Sequence, residues 1–193
     1  MHKVLKSAAL FLAISLIGPS AFAQDFELAN LKLGMTSAQV ETKMTKIGYE
    51  RFREQSTLTF AQKVKRKQGE YIRRKDHEGT YRLDFKKNER EFVSVKFEQF
   101  PSVQFVKHVS YHLKDKTMKL SDFRDRVIGK YGEPSDKNLT WYGDQDMSRD
   151  NISSKEVLNL ASFYINLSGT VSRIDIDKAV LAAIPKSSNE TTF

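Results

Sequence analysis

Between Tyr81 and Leu113 the chain alternates. Tyr81, Leu83 and Phe85 fall on one side of an extended backbone and Arg82, Asp84 and Lys86 on the other, which predicts a half-buried strand. Lys87-Asn88-Glu89-Arg90 predicts a hairpin, after which Val93, Val95 and Phe97 repeat the pattern against Ser94, Lys96 and Glu98. Beyond Pro101, Phe105, Lys107, Val109, Tyr111 and Leu113 share a face opposite Gln104, Val106, His108, Ser110 and His112. Short turns between such segments predict an antiparallel meander with one wet face. Further strands are expected over Leu139–Tyr142, Val157–Leu167 and Val171–Val180. Weaker alternation, Lys63, Lys65 and Lys67 against Val64, predicts a strand over Leu58–Lys67, with another short one over Glu70–Arg74 ending in a turn at Gly79. Glu50–Thr57 is charged, lacks a period and is read as loop.

Two segments switch to helical spacing. In Leu31–Tyr49, Val40, Met44 and Ile47 make one stripe; Thr36 and Gln39 have capping-box spacing, Met35 and Val40 can form a hydrophobic staple, and Gly48 supplies a left-handed stop. This predicts a helix over Ser37–Ile47. In the second, Leu120, Phe123, Val127, Ile128 and Tyr131 recur at helical spacing, Ser121 is the expected cap, and Gly132 with Pro134 ends the helix. Helix-then-strands thus occurs twice, the terminal glycines 84 positions apart (132 minus 48). The expected architecture is α+β, short helices packed on an antiparallel β-meander, with two tandem helix-then-sheet units over 24–117 and 118–181 and a polar tail over 182–193.

The first residues add a compartment. His2, Lys3 and Lys6 precede an apolar run from Ala8 to Ile17, and Ala21 and Ala23 supply small residues for cleavage, so residues 1–23 read as a signal peptide. Pro19 cuts the run short of the roughly 20 apolar residues that a membrane-spanning helix needs. The expected mature chain, from Gln24, is exported to the periplasm or secreted, with no transmembrane span. With 13 Phe, 7 Tyr and 39% hydrophobic residues it can build a core. Cysteine is absent, which removes disulfides, thiolate metal sites and lipid attachment. The net charge is +8, and losing Lys3 and Lys6 leaves +6. The excess is local: residues 51–90 hold thirteen Lys or Arg against six acids, residues 138–193 five against seven. For an exported chain the acidic partners implied are anionic lipid, lipopolysaccharide, cell-wall polymer or acidic proteins, and not nucleic acid.

Leu31, Gly34, Met35, Thr36, Gln39 and Val40 together resemble the opening signature of the SmpA/OmlA outer-membrane assembly lipoprotein family, over about twenty residues. The order of elements also resembles the β-lactamase-inhibitor-protein-like fold, in which helix-then-sheet units occur singly or in tandem. The resemblance implies a bacterial envelope protein that works by binding, in a family whose members are accessory parts of the barrel-inserting machinery. This chain departs from the family in having no Cys to carry a lipid.

Candidate chemistry is sparse. His108 and His112 form an H-x-x-x-H, but four strand residues span roughly 13 Å, too far for one ion, so they read as solvent-face histidines. Asp144, Asp146, Ser148 and Asp150 have calcium-loop spacing but meet Arg149 where glycine is required and Lys155 where glutamate is. No glycine-elbow Ser, phosphate-cradling Gly run or H-E-x-x-H is present, so neither catalysis nor a cofactor or metal is expected. Two candidate binding groups remain. Lys63, Lys65, Arg66, Lys67, Arg73 and Arg74, with Tyr71 among them, would converge on a phosphate or carboxylate if the two segments paired as a hairpin; a charged edge strand that resists aggregation is the alternative. Trp141 and Tyr142, beside the acidic loop, are either anchors for a protein partner or core. The expected function is binding to another envelope protein in outer-membrane assembly or maintenance; the alternatives are inhibition of a periplasmic hydrolase and capture of anionic envelope ligands.

Overall fold

The computed structural model describes residues 26–101, 104–143, 156–169 and 173–184. The expected signal peptide, the calcium-spaced residues Asp144 to Asp150 and the tail from 185 onward lie outside them. Helix α1 (Ser37–Lys46) starts as its capping pair requires: Thr36 Oγ1 accepts from the Gln39 amide at 3.3 Å and Gln39 Oε1 from the Thr36 amide at 2.9 Å. Val40 and Met44 are fully buried, and Gly48, at φ 85°, turns the chain out of the helix.

The meander follows as β2 (Gly79–Lys87), β3 (Glu91–Gln99) and β4 (Gln104–Leu113), with Asn88 left-handed at φ 57° in the first hairpin. The segment read as loop, Glu50–Thr57, is instead strand β1, paired antiparallel to β2. It is an edge strand whose residues are nearly all exposed, so it never shows an apolar period; its backbone pairing and its charges do the work. The expected strand over Val157–Leu167 is two, β6 (Glu156–Ala161) and β7 (Tyr164–Gly169), folded back at Ser162 with φ 56°. With β5 (Thr140–Tyr142) they complete one seven-stranded sheet in the order β1-β2-β3-β4-β7-β6-β5. The two helix-then-strands stretches therefore share a sheet, joined where His108 to His112 pair with Ser168 to Tyr164.

Register explains the layering. Leu83, Val95, Val109, Leu167, Leu158 and Trp141 stand side by side across six strands, each no more than 1% exposed. Onto this apolar face pack α1, α3 (Leu120–Tyr131) and the segment from Phe26 to Leu33. The neighbouring row points the other way and is polar throughout: Arg53, Asp84, Ser94, Ser110, Asn166, Asn159 and Thr140. A bulge at Lys107, where Lys96 pairs with His108 but Phe97 with Val106, breaks the alternation expected for β4. Val106 and Val109 both reach the core, and Phe105 packs instead with Phe100 and Ile176.

Four more expectations are corrected. Leu58–Lys67 is not a strand: Thr59 and Gln62 form a second capping box that starts α2 (Phe60–Lys67). Glu70–Arg74 forms no strand either, and a single 3-10 turn follows at Arg74–Asp76. Val171–Val180 is largely helix, α4 (Arg173–Ala182), because Ile176 and Val180, four apart, are the buried pair, and Lys, Ala and Leu from 178 onward favour helix. Ser121 does not cap α3; Lys119 holds that position without a side-chain bond, and the Ser121 hydroxyl donates to Asp122. Among the described residues no helix is long and apolar enough to cross a membrane.

Candidate binding surfaces

Strands β1 and β2 are neighbours whose last paired residues are Thr57 and Gly79. A two-residue turn would join them. Instead 21 residues, 58 to 78, leave the sheet and return, carrying seven Lys or Arg against three acids. Gly79 is needed where they rejoin: a Cβ there would stand 3.1 Å from the Thr57 carbonyl oxygen and from Gln99. Within the excursion only Leu58 is buried; α2 has no fully buried residue and touches the rest of the molecule chiefly through α4.

The helix sorts the basic residues that a hairpin would have gathered. Lys63, Arg66 and Lys67, at helical spacing, line a cavity of about 760 Å3 between α2, α4 and the sheet. Ile176 and Val180 form its apolar wall and Lys107 enters from β4. Glu98 also lines the cavity, accepting from Lys63 Nζ at 3.0 Å and Lys107 Nζ at 2.7 Å. Burial alone would raise this carboxyl, but the bonds and charges of Lys107 and Lys63 hold it below the usual range. Lys65 and Arg74 are exposed outside the cavity, Arg73 is engaged with Asp76 at 2.9 Å, and Tyr71 is 86% exposed between them. The expected convergence through a hairpin is thus replaced by a cavity-facing trio and an outward group. Of the second candidate pair, Trp141 is core: it is 1% exposed and its Nε1 donates to the Gly132 carbonyl at 2.9 Å, so no partner can reach it. Tyr142 is half-exposed, its hydroxyl donating to Asp136 at 3.3 Å.

The polar face of the sheet holds a second concavity, missed at the level of sequence because only strand register creates it. It has a volume of about 290 Å3, and its lining comes from the strands and Lys114. Asp84, Ser94 and Ser110 form the floor; Phe52, Phe92 and Tyr164 stand around it. Arg82 Nε donates to Asp84 at 2.6 Å and Ser110 Oγ to Asn166 at 2.7 Å, whereas the buried Ser94 Oγ has no hydrogen-bond partner among the described residues. His112 lies flat against Tyr164, ring centroids 3.8 Å apart, and Lys114 Nζ sits 4.3 Å over the Phe92 ring. The two histidines do lie on one strand face, as expected. Burial and then the charges of Lys96, Lys107 and Arg82 push His108 down to about 4, and burial and Lys114 lower His112, so both are neutral imidazoles near pH 7.

On the apolar side, the Glu91 carboxylate accepts from the Tyr49 hydroxyl at 2.8 Å and the Tyr111 hydroxyl at 3.3 Å. Burial and the carboxylate push both phenols up, so they stay protonated as donors and brace β3 against β4 and the end of α1. Among the described residues no group of three or more His, Asp or Glu is placed to hold a metal ion. Compared with protein families, curated proteins and solved structures, the chain matches none.

Proposed function

We propose that this chain is an exported, non-enzymatic protein of the bacterial envelope that works by binding, and that the excursion between β1 and β2 meets an acidic surface of another envelope protein in outer-membrane assembly or maintenance. One observation carries the reading: Thr57 already pairs with Gly79, so the 21 intervening residues (58 to 78) are not needed to connect the two strands. A two-residue turn suffices for such a hairpin, and this connection instead carries a helix of its own, α2. This one leaves Lys65, Arg66, Lys67, Arg74 and Tyr71 exposed on one segment, the combination of cation and amphipathic ring that concentrates binding energy at protein interfaces. Export rests on the signal-like residues 1–23, and the envelope setting on the capping-box signature at Leu31 to Val40.

A photo-crosslinking amino acid in place of Tyr71, in the tagged full chain in its native host, tests the proposal. The expected capture is a component of the outer-membrane assembly machinery, weakened by salt and lost when Lys65, Arg66 and Lys67 are replaced by Ser. Capture that is indifferent to those replacements overturns it, and capture of a soluble hydrolase replaces it with the inhibitor reading.

A further inference from the structure

We infer that the cleft on the polar face of the sheet is a binding site for an acidic oligosaccharide. The face offers what such a ligand needs along its length. The polar row from Arg53 to Thr140 crosses all seven strands, a track of six inter-strand steps or about 29 Å. Every position on it bears a hydrogen-bonding side chain, so a linear polymer of repeating hydroxyls laid across the strands meets a polar group at each step.

The cleft lies on that track, at Arg53, Asp84, Ser94 and Ser110. Ser94 Oγ is buried with no hydrogen-bond partner among the described residues, a costly state that a ligand hydroxyl relieves by donating to it or accepting from it. Beside it Asp84, 4% exposed, commits one oxygen to Arg82 and retains lone pairs for a second donor. Phe52 and Tyr164 are 53% and 42% exposed at the walls. A pyranose ring has apolar C–H faces and a rim of hydroxyls, so it can lay a face on an aromatic ring while its rim reaches the floor.

Charge selects among sugars. Arg53, Arg82 and Lys114 surround the single carboxylate of Asp84, leaving the cleft with a surplus of two positive charges. That surplus favours a carboxylate-bearing sugar, which an Arg fork grips in two places. It disfavours a cationic ligand, as does Lys114, which already covers the Phe92 ring. An acyl chain would strand the polar floor, and an added peptide strand needs a sheet edge, which this face is not.

Calorimetric titration of the full chain with tetragalacturonate, with cellotetraose as the neutral control and tetraglutamate as the acidic peptide control, tests the assignment. Tetragalacturonate is expected to bind more tightly than either control. Tyr164→Ala and Phe52→Ala should each weaken it about tenfold, and Ser94→Ala about two- to tenfold. Ser94→Ala should do so without lowering the melting temperature, since it removes an unsatisfied hydroxyl, and both aromatic positions are exposed enough for the fold to survive. Absence of tetragalacturonate binding, binding unchanged in the aromatic variants, or equal affinity for either control overturns the inference. The triple Ser variant of Lys65, Arg66 and Lys67 should bind tetragalacturonate as the native chain does; loss of binding there would place the ligand on the excursion and overturn the cleft.

Discussion

Replacing Leu58–Glu78 by Asn-Gly, so that Thr57 runs into Gly79 through a two-residue turn, removes the excursion and leaves the seven-stranded sheet intact. The energetic consequence can be worked from what the segment touches. Leu58, 6% exposed, contributes about 2 kcal/mol of burial. The half-buried Phe60, Val64 and Ile72 together add about 2 kcal/mol. The partly buried bond from Lys63 to Glu98 adds about 1 kcal/mol, and Glu98 keeps Lys107. Against that loss, shortening the connection from 21 residues (58 to 78) to two lowers the closure cost by about 2 kcal/mol. The net is a loss of about 3 kcal/mol, which a domain of ordinary stability, about 5–15 kcal/mol, survives. Urea unfolding measures the first half of the expectation, and chemical cross-linking of the tagged variant in its native host measures the second: a folded protein that has lost its partner. A deletion variant that cannot fold would show that the excursion holds the sheet together, and a folded one that still captures its partner would place binding elsewhere.

Other outcomes follow from single groups. Thr36→Ala and Thr59→Ala each remove a capping-box acceptor and should cost about 1 kcal/mol in urea unfolding, whereas Ser121→Ala should change nothing measurable because that hydroxyl caps no amide. His108 is held neutral at about 4 by burial and by Lys96, Lys107 and Arg82, below its unfolded value of 6.5. Between those values the unfolded chain binds the extra proton. The contribution of His108 is therefore full above pH 6.5 and lost as pH falls toward 4, a decline on the order of 2 kcal/mol once partial solvent screening is allowed for. Glu98, lowered by its lysines, continues the decline in the same direction at still lower pH. His108→Gln should flatten the pH 4–6.5 portion of a stability profile and leave the more acidic portion in place.

Sequence periodicity disclosed the elements that have a dry side. Val93, Val95 and Phe97, or Val40 and Met44, repeat because each must reach the core, and the meander and α1 are where the spacing places them. The pattern fails where an element owes its form to something else. Strand β1 exists through backbone pairing with β2 and shows no period to read. Over α2 the alternation of Lys63, Lys65 and Lys67 overrode a capping pair, Thr59 and Gln62, with the same spacing as Thr36 and Gln39. The bulge at Lys107 inverts faces within one strand, and no residue type announces it. The cleft is the extreme case: Asp84, Ser94, Ser110 and Tyr164 lie on four strands, and their meeting is a property of register alone.

Strand β1, helix α2 and the cleft belong to the two proposed binding surfaces. A core position is fixed by the apolar area it must bury, so its identity and spacing advertise the fold; a position turned toward a ligand is released from that demand and carries residues the fold does not need. Lys65 and Arg74 are exposed, Tyr71 leaves its ring in water, and Ser94 buries a hydroxyl that has no partner among the described residues. Each costs something, or at best contributes nothing, to the isolated chain. Random drift would remove such features separately, yet here they are grouped: exposed cations and an exposed ring on one excursion, and a hydroxyl unpartnered among the described residues beside a buried carboxylate between aromatic walls on the sheet. The grouping gives the two sites different physical signatures. Binding at the excursion should fade with ionic strength, because its charges are exposed to screening. Binding in the cleft should keep a salt-resistant remainder from ring stacking and buried hydrogen bonds, which ions in solution do not reach.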